Sequence, residues 1–422
     1  MTTTAKGPED LIAAYTQARA ATEALCATLE TEDYVIQAMP DVSPAKWHLA
    51  HVSWFFETFL LRAHLPGYRP VDERYAVLFN SYYNAVGPQF SRPERGTLSR
   101  PTVSEVYAYR AHVDEGMLAL LEGMAAEQTA ALAPLVMLGM HHEQQHQELL
   151  LTDLKYNLSV NPLRPAYHDR PLPTAPAAPL TWRSYEGGIV EVGHAGEDFA
   201  FDNESPRHRA LLEPFALASR PVSNAEWLAF MQDGGYATPT LWLSQGWAAA
   251  QREGWEAPLH WEQIDGSWHH FTLSGLVPVD LDAPVSHVSF VEADAYAHWA
   301  GARLPSEEEW EHALGGLPIE GNFVESGLHH PVSSGLTLGV DGYRQAFGDV
   351  WEWTRSAYLP YPGFRASEGA VGEYNGKFML GQMVLRGGSC ATPASHIRGT
   401  YRNFFYPPDR WQFTGLRIAK DG

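Results

Sequence analysis

Apolar residues recur three and four positions apart in four stretches of the first 156 residues, near 10–29, 43–63, 102–125 and 127–156. That period predicts four amphipathic helices, long enough to pack as a bundle. Ser43 followed by Pro44 marks the start of the second helix, with Ser43 as the capping residue and Pro44 at the first helical position. Between Val160 and Leu180 six prolines (Pro162, Pro165, Pro171, Pro173, Pro176 and Pro179) predict a semi-rigid linker. Beyond Thr181 the texture changes to glycine, tryptophan and short β-prone runs such as Gly188–Gly193 and Met383–Gly388. Two helical pieces, Ser223–Gln232 and Phe290–Trp299, interrupt these runs. Many turns with little regular period predict an irregular α+β domain. The reading is therefore an all-α domain over 1–160, a linker over 161–180 and an α+β domain over 181–422.

A chain of 422 residues exceeds one ordinary core, which agrees with two domains. The 29 Lys and Arg against 50 Asp and Glu leave a net charge of −21, which disfavours nucleic-acid phosphate or an anionic membrane as partner and points to small molecules. Only Cys26 and Cys390 occur, one in each half, so no disulfide framework is expected and a reducing cytoplasm is. Neither a basic-then-apolar leader nor an uncharged apolar run of spanning length is present, so a soluble chain is expected.

Candidate chemistry concentrates in His142-Glu143-Gln144-Gln145-His146, inside the fourth apolar-periodic stretch. Histidines at i and i+4 share one helix face and can share a metal. His141 points about 100° away from that face. The second stretch offers His48 and His51, either of which could complete a three-histidine set from a facing helix. The same string also matches the H-E-x-x-H pattern of zinc hydrolases, with Glu143 as general base and Glu148 or Asp153 as third ligand, but no H-x-x-G-x-x-H extension follows.

Trp47-His-Leu-Ala-His51, Asn80-Ser-Tyr-Tyr-Asn84 and His142-Glu-Gln-Gln-His-Gln-Glu148 together resemble the DinB-like bundle of the ergothioneine-type sulfoxide synthases. The second half resembles the formylglycine-generating-enzyme fold, which is C-type-lectin-like. It does so through Pro221–Trp227, Ala302–Trp310, Gly348–Trp353, Leu385–Ser389, Arg402-Asn403 and Gly415–Arg417. The resemblance implies an iron(II) enzyme that uses dioxygen to join a sulfur donor to C2 of the imidazole of hercynine, N-alpha-trimethylhistidine. It puts the iron ligands on His51, His142 and His146 and leaves His48 to pack or to touch a ligand from behind. Three neutral imidazoles leave coordination positions open, which suits oxygenase chemistry better than closed structural zinc.

The resemblance places Gln145, Asn403 and Phe404 around the trimethylammonium group, which favours aromatic faces and amide oxygens. Arg92 and Arg95 would take the donor's carboxylate, a role suited to paired guanidinium forks. Tyr82 and Tyr83 resemble the tyrosine pair of the cysteine-using branch and would supply a proton or electron. Phe405 and Asp409 stand where the dipeptide-using branch holds gamma-glutamylcysteine with an acidic and a basic residue. That departure favours a compact donor, either cysteine or the selenosugar used by close relatives that make selenoneine.

Overall fold

The computed structural model describes residues 7–422, which form two compact units. The first runs to Pro162 and takes in two later segments, Gly196–Phe201 and Ala366–Tyr374. The second comprises Leu163–Ala195, Asp202–Arg365 and Asn375–Gly422.

Four long helices build the first unit: Pro8–Cys26, Ala45–Phe56, Val103–Gly123 and Ala126–Ser159. The fourth packs on the first and second, and the third also packs on those two. All twelve residues of the second helix are buried, including His48 and His51. This central helix runs directly into a π-helical turn, Glu57–Leu61, of the kind that often accompanies a functional site. Where the fourth helix crosses it, Gly139 is required by contact, because a Cβ there would lie 2.5 Å from the Phe56 ring. The start of the second helix differs from the sequence reading by one residue. Pro44 has extended backbone (ψ 144°) and lies outside as the cap, without a side-chain capping bond. Ser43 is drawn elsewhere: its hydroxyl accepts from Arg95 and its N–H donates to Asp153.

The second unit is a set of small sheets with short helices. Four strands run in the order Asn403–Phe405, Met383–Arg386, Trp351–Ala357 and Thr414–Gly415, and a three-stranded sheet joins Trp182–Tyr185, Phe215–Ala218 and Ala419–Asp421. The helices Asn224–Gln232, Phe290–Trp299 and Glu307–Leu314 each open on a capping box, from Ser223 to Glu226, Ser289 to Glu292 and Ser306 to Glu309. Every one of those glutamates also takes an arginine: Arg220 at 2.9 Å, Arg410 at 2.8 Å and Arg303 at 2.7 Å. Deeper in the core, Arg417 pairs with Glu352 at 2.8 Å and Arg402 with Glu307 at 2.8 Å. Several polar letters of the second-half motifs thus serve the fold. Burial of these charges is tolerable because each is paired and hydrogen-bonded.

Candidate metal centre

His51, on the second helix, meets His142 and His146, one turn apart on the fourth. One ring nitrogen from each lies within 4.8 Å of the others, and all three side chains are buried. This is the one such three-residue cluster of metal-ligand type among the described residues. His51 Nδ1 donates to the Phe79 carbonyl at 2.6 Å, which leaves the Nε2 lone pair facing His142 Nε2 at 3.2 Å. Two nitrogens bound to one metal at about 2.1 Å would stand about 3 Å apart, so that separation fits a shared ion. Burial holds all three imidazoles well below the ordinary histidine range, His142 at about 3 despite the nearby Glu143 carboxylate, and for His51 and His146 the neighbouring histidine rings add to the effect. They are neutral at physiological pH, which is the state a metal requires.

The ring of His51 stacks on Trp47 at 4.6 Å and on Trp54 at 5.6 Å. His146 is engaged from behind. Its Nδ1 lies 2.9 Å from His48 Nδ1, and His48 Nε2 lies 3.0 Å from Asp153 Oδ2. His141 turns off this face and stacks on Phe199 at 4.0 Å.

Glu143 faces the opposite way, toward the first and third helices. Its carboxylate accepts from Thr22 at 2.7 Å, Arg110 at 2.6 Å and Arg19 at 3.0 Å. Burial opposes its ionisation, but the two guanidiniums prevail and hold the carboxyl at about 2. A general base needs a proton affinity near the working pH. Glu143 is a buried counter-ion instead, which removes the zinc-hydrolase reading. The two residues offered as its third ligand are occupied otherwise or outside the cluster, since Asp153 bonds His48 and Ser43 and Glu148 is not among the three.

The connection between the second and third helices carries the tyrosines and arginines. Asn80 pins it, accepting from the Tyr83 N–H at 3.1 Å and donating to the Tyr83 carbonyl at 3.0 Å. Tyr83 is buried among Trp54, Phe55 and Phe59, while Tyr82 stacks on it at 4.6 Å and is partly exposed. Burial raises both phenols above the usual tyrosine range. The two arginines are not equivalent. Arg92 is exposed and bonds the Asp41 carbonyl. Arg95 is 3% exposed, lies 3.4 Å over the Trp47 ring and donates only to Ser43 Oγ (2.9 Å) and Ser81 Oγ (3.2 Å). Among the described residues its Nε has no partner and no carboxylate pairs with it, and burial with Arg92 nearby works against its charge, which the Asp153 carboxylate favours more weakly.

One residue of the site escaped the sequence reading. Tyr374, from the late segment of this unit, donates its hydroxyl to Gln145 Oε1 and sets its ring 5.6 Å from His142 and 6.4 Å from Tyr82. Glu373 beside it accepts the Asn84 and Ala85 N–H groups at 3.1 and 2.7 Å, which ties this segment to the tyrosine loop. Asn403 and Phe404 belong to the second unit, on the edge strand paired to Met383–Arg386, where Phe404 stacks on Tyr358 at 4.0 Å. Phe405 meets the Trp411 ring edge-on at 6.1 Å, and Asp409 accepts the Tyr406 N–H at 3.1 Å.

Residues 14–150 match the DinB superfamily, and 181–336 with 337–422 match the sulfatase-modifying factor enzyme 1-like domain. A hercynine oxygenase of Mycolicibacterium smegmatis is 35% identical over 91% of this chain and 92% of its own length. The hercynine oxygenase of Mycobacterium tuberculosis is 33% identical over 98% of this chain and 99% of its own. This chain belongs to the hercynine oxygenase family. As a hercynine oxygenase family member it is a metal-dependent oxygenase of the ergothioneine-type sulfoxide synthase class, with a DinB-like helical domain and a formylglycine-generating-enzyme-like domain. Ergothioneine biosynthesis protein 1 of Schizosaccharomyces pombe is 30% identical over 53% of this chain and 28% of its own length. No helix among the described residues is long and apolar enough to cross a membrane.

Proposed function

We propose that the chain binds iron(II) through His51, His142 and His146 and uses dioxygen to join a sulfur or selenium donor to C2 of the hercynine imidazole. The observation that carries this is the convergence of three neutral imidazoles in a chain that matches hercynine oxygenases over nearly its whole length. Neutral nitrogen donors suit iron, and three of them leave room for other ligands. Bound iron(II) would supply the binding and reduction of dioxygen and the activation of a thiolate or selenolate.

The chain's own residues would orient the reactants and manage the protons. Arg95 is the proposed partner of the donor's carboxylate, since a buried guanidinium without a carboxylate calls for an anion. Arg92 is exposed and would add only a weaker, screened attraction. This asymmetry favours cysteine over a neutral selenosugar, and Phe405 offers no polar hold for gamma-glutamylcysteine. Gln145, Asn403 and Phe404 are the proposed contacts of the trimethylammonium group. Tyr82 and Tyr83, with Tyr374 added from the geometry, are the phenols from which a proton would be given. The work would take place in a reducing cytoplasm, which agrees with two buried free cysteines, Cys26 and Cys390.

The test is anaerobic titration of the apoprotein with iron(II). Wild type should bind one equivalent, and Ala at His51, His142 or His146 should abolish tight binding. Retention of iron by His51→Ala would overturn the ligand assignment.

A further inference from the structure

His142, His146 and Asp153 stand at i, i+4 and i+11 of one helix, within about 40° of one another around its axis. His48 and His51 face them at i and i+3 of the next helix. His51 joins the three-histidine cluster, whereas His48 spans the gap between His146 and Asp153. All members of this line are buried: His48 is 3% exposed, Asp153 2% and Ser43, whose N–H donates to the same Asp153 oxygen at 2.8 Å, 2%.

The polarity of the line follows from its end. An ionised carboxylate only accepts, so His48 presents Nε2–H to Asp153. With Nε2 as its donor, the His48 ring turns Nδ1 toward His146 as the acceptor, and the 2.9 Å approach places the bridging proton on His146 Nδ1. His146 is left with its lone pair on Nε2, the atom that can coordinate. Outer hydrogen bonds of this kind fix the tautomer and ring plane of a metal-bound histidine and raise its basicity. Without the carboxylate, His48 can reverse and offer Nδ1–H, which would drive the His146 proton to Nε2 and block coordination.

We propose that His48 and Asp153 are positioning residues that set the tautomer and ring plane of His146, an inference that rests on the metal centre proposed above. The spacing W-H-x-x-H with H-x-x-x-H-x-x-x-x-x-x-D is its sequence form.

Cobalt(II) titration of the full-length apoprotein tests it, reading both the dissociation constant and the visible ligand-field spectrum. His48→Phe and Asp153→Leu should raise the dissociation constant about 10- to 100-fold and alter the spectrum. His48→Asn, whose amide oxygen can take the place of Nδ1, and Asp153→Asn should restore most of the affinity. Far-UV circular dichroism and urea melts of each apoprotein identify variants that fold. If His51→Ala binds cobalt as tightly as wild type, the metal centre itself is wrong. If His51→Ala loses the metal while His48→Phe and Asp153→Leu stay within twofold of wild type with an unchanged spectrum, the positioning role is overturned. It is equally overturned if the Asn variants lose as much affinity as the Phe and Leu variants.

Discussion

Arg95→Met separates a binding group from a structural one with unusual clarity, because the two roles predict opposite stability changes. Methionine is an unbranched chain like the arginine stem and removes the guanidinium that lies over Trp47. In the apoprotein the change forfeits two hydrogen bonds to neutral serine hydroxyls, about 1 kcal/mol each, and a stacked cation, about 0.5–2 kcal/mol. Against that loss stands the cost of burying an ion with no carboxylate partner, several kcal/mol, which the variant no longer bears. The two nearly cancel, so the apoprotein should unfold in urea within about 1 kcal/mol of wild type or slightly later. Donor binding should behave otherwise. A charged hydrogen bond contributes about 1.5–3 kcal/mol, so KM for cysteine at saturating hercynine and dioxygen should rise about 10- to 150-fold. KM for a neutral selenosugar should move much less. A variant that loses 3 kcal/mol or more of stability while its cysteine KM stays at the wild-type value would refute the reasoning, since Arg95 would then be a member of the fold alone.

Glu143→Gln should lower stability by about 3–5 kcal/mol at pH 7 by leaving Arg19 and Arg110 buried without their shared anion. Its carboxyl is held down at about 2, against about 4.3 in the unfolded chain, so its contribution is complete above about pH 4.3 and is lost as pH falls toward 2. Urea melts should therefore show variant and wild type converging below pH 4; a constant gap would contradict the ion-pair account. Among Tyr82→Phe, Tyr83→Phe and Tyr374→Phe, the variant that removes the working phenol should bind hercynine normally yet lose bond formation or divert to oxidation of the donor alone. Unchanged product and turnover in all three, and in the double Tyr82 and Tyr83 variant, would remove these phenols from the mechanism.

The first and third helices were legible because each buries one face and leaves the other to solvent, whereas the second is buried all round and was legible from its run of apolar and aromatic residues. The His142 and His146 pair was legible from its i, i+4 helical period. The period could not tell His48 from His51, three residues apart on a helix with no exposed face; only the facing helix decides that one meets His142 and the other Asp153. Arg92 and Arg95 read as twins in sequence, yet a tight turn exposes the first and lays the second on Trp47. Tyr374 was invisible for a different reason. It arrives in a segment more than 200 residues from Gln145, without helical or strand period, and no local pattern marks such a contact. In the second unit the short strands were readable as β-prone runs, but their order was not, since the four-stranded sheet joins strands with both antiparallel and parallel neighbours.

The most direct test of the central claim is the identity of the product. Apoprotein loaded with iron(II) would be mixed with dioxygen and hercynine, and with cysteine, gamma-glutamylcysteine or a selenosugar in parallel, the products being read by mass spectrometry. The account predicts a hercynine adduct with the new bond at the imidazole C2, formed most efficiently with cysteine and absent in His51→Ala. Turnover confined to gamma-glutamylcysteine would contradict the donor assignment, and no adduct with any donor at full iron loading would contradict the proposed reaction itself.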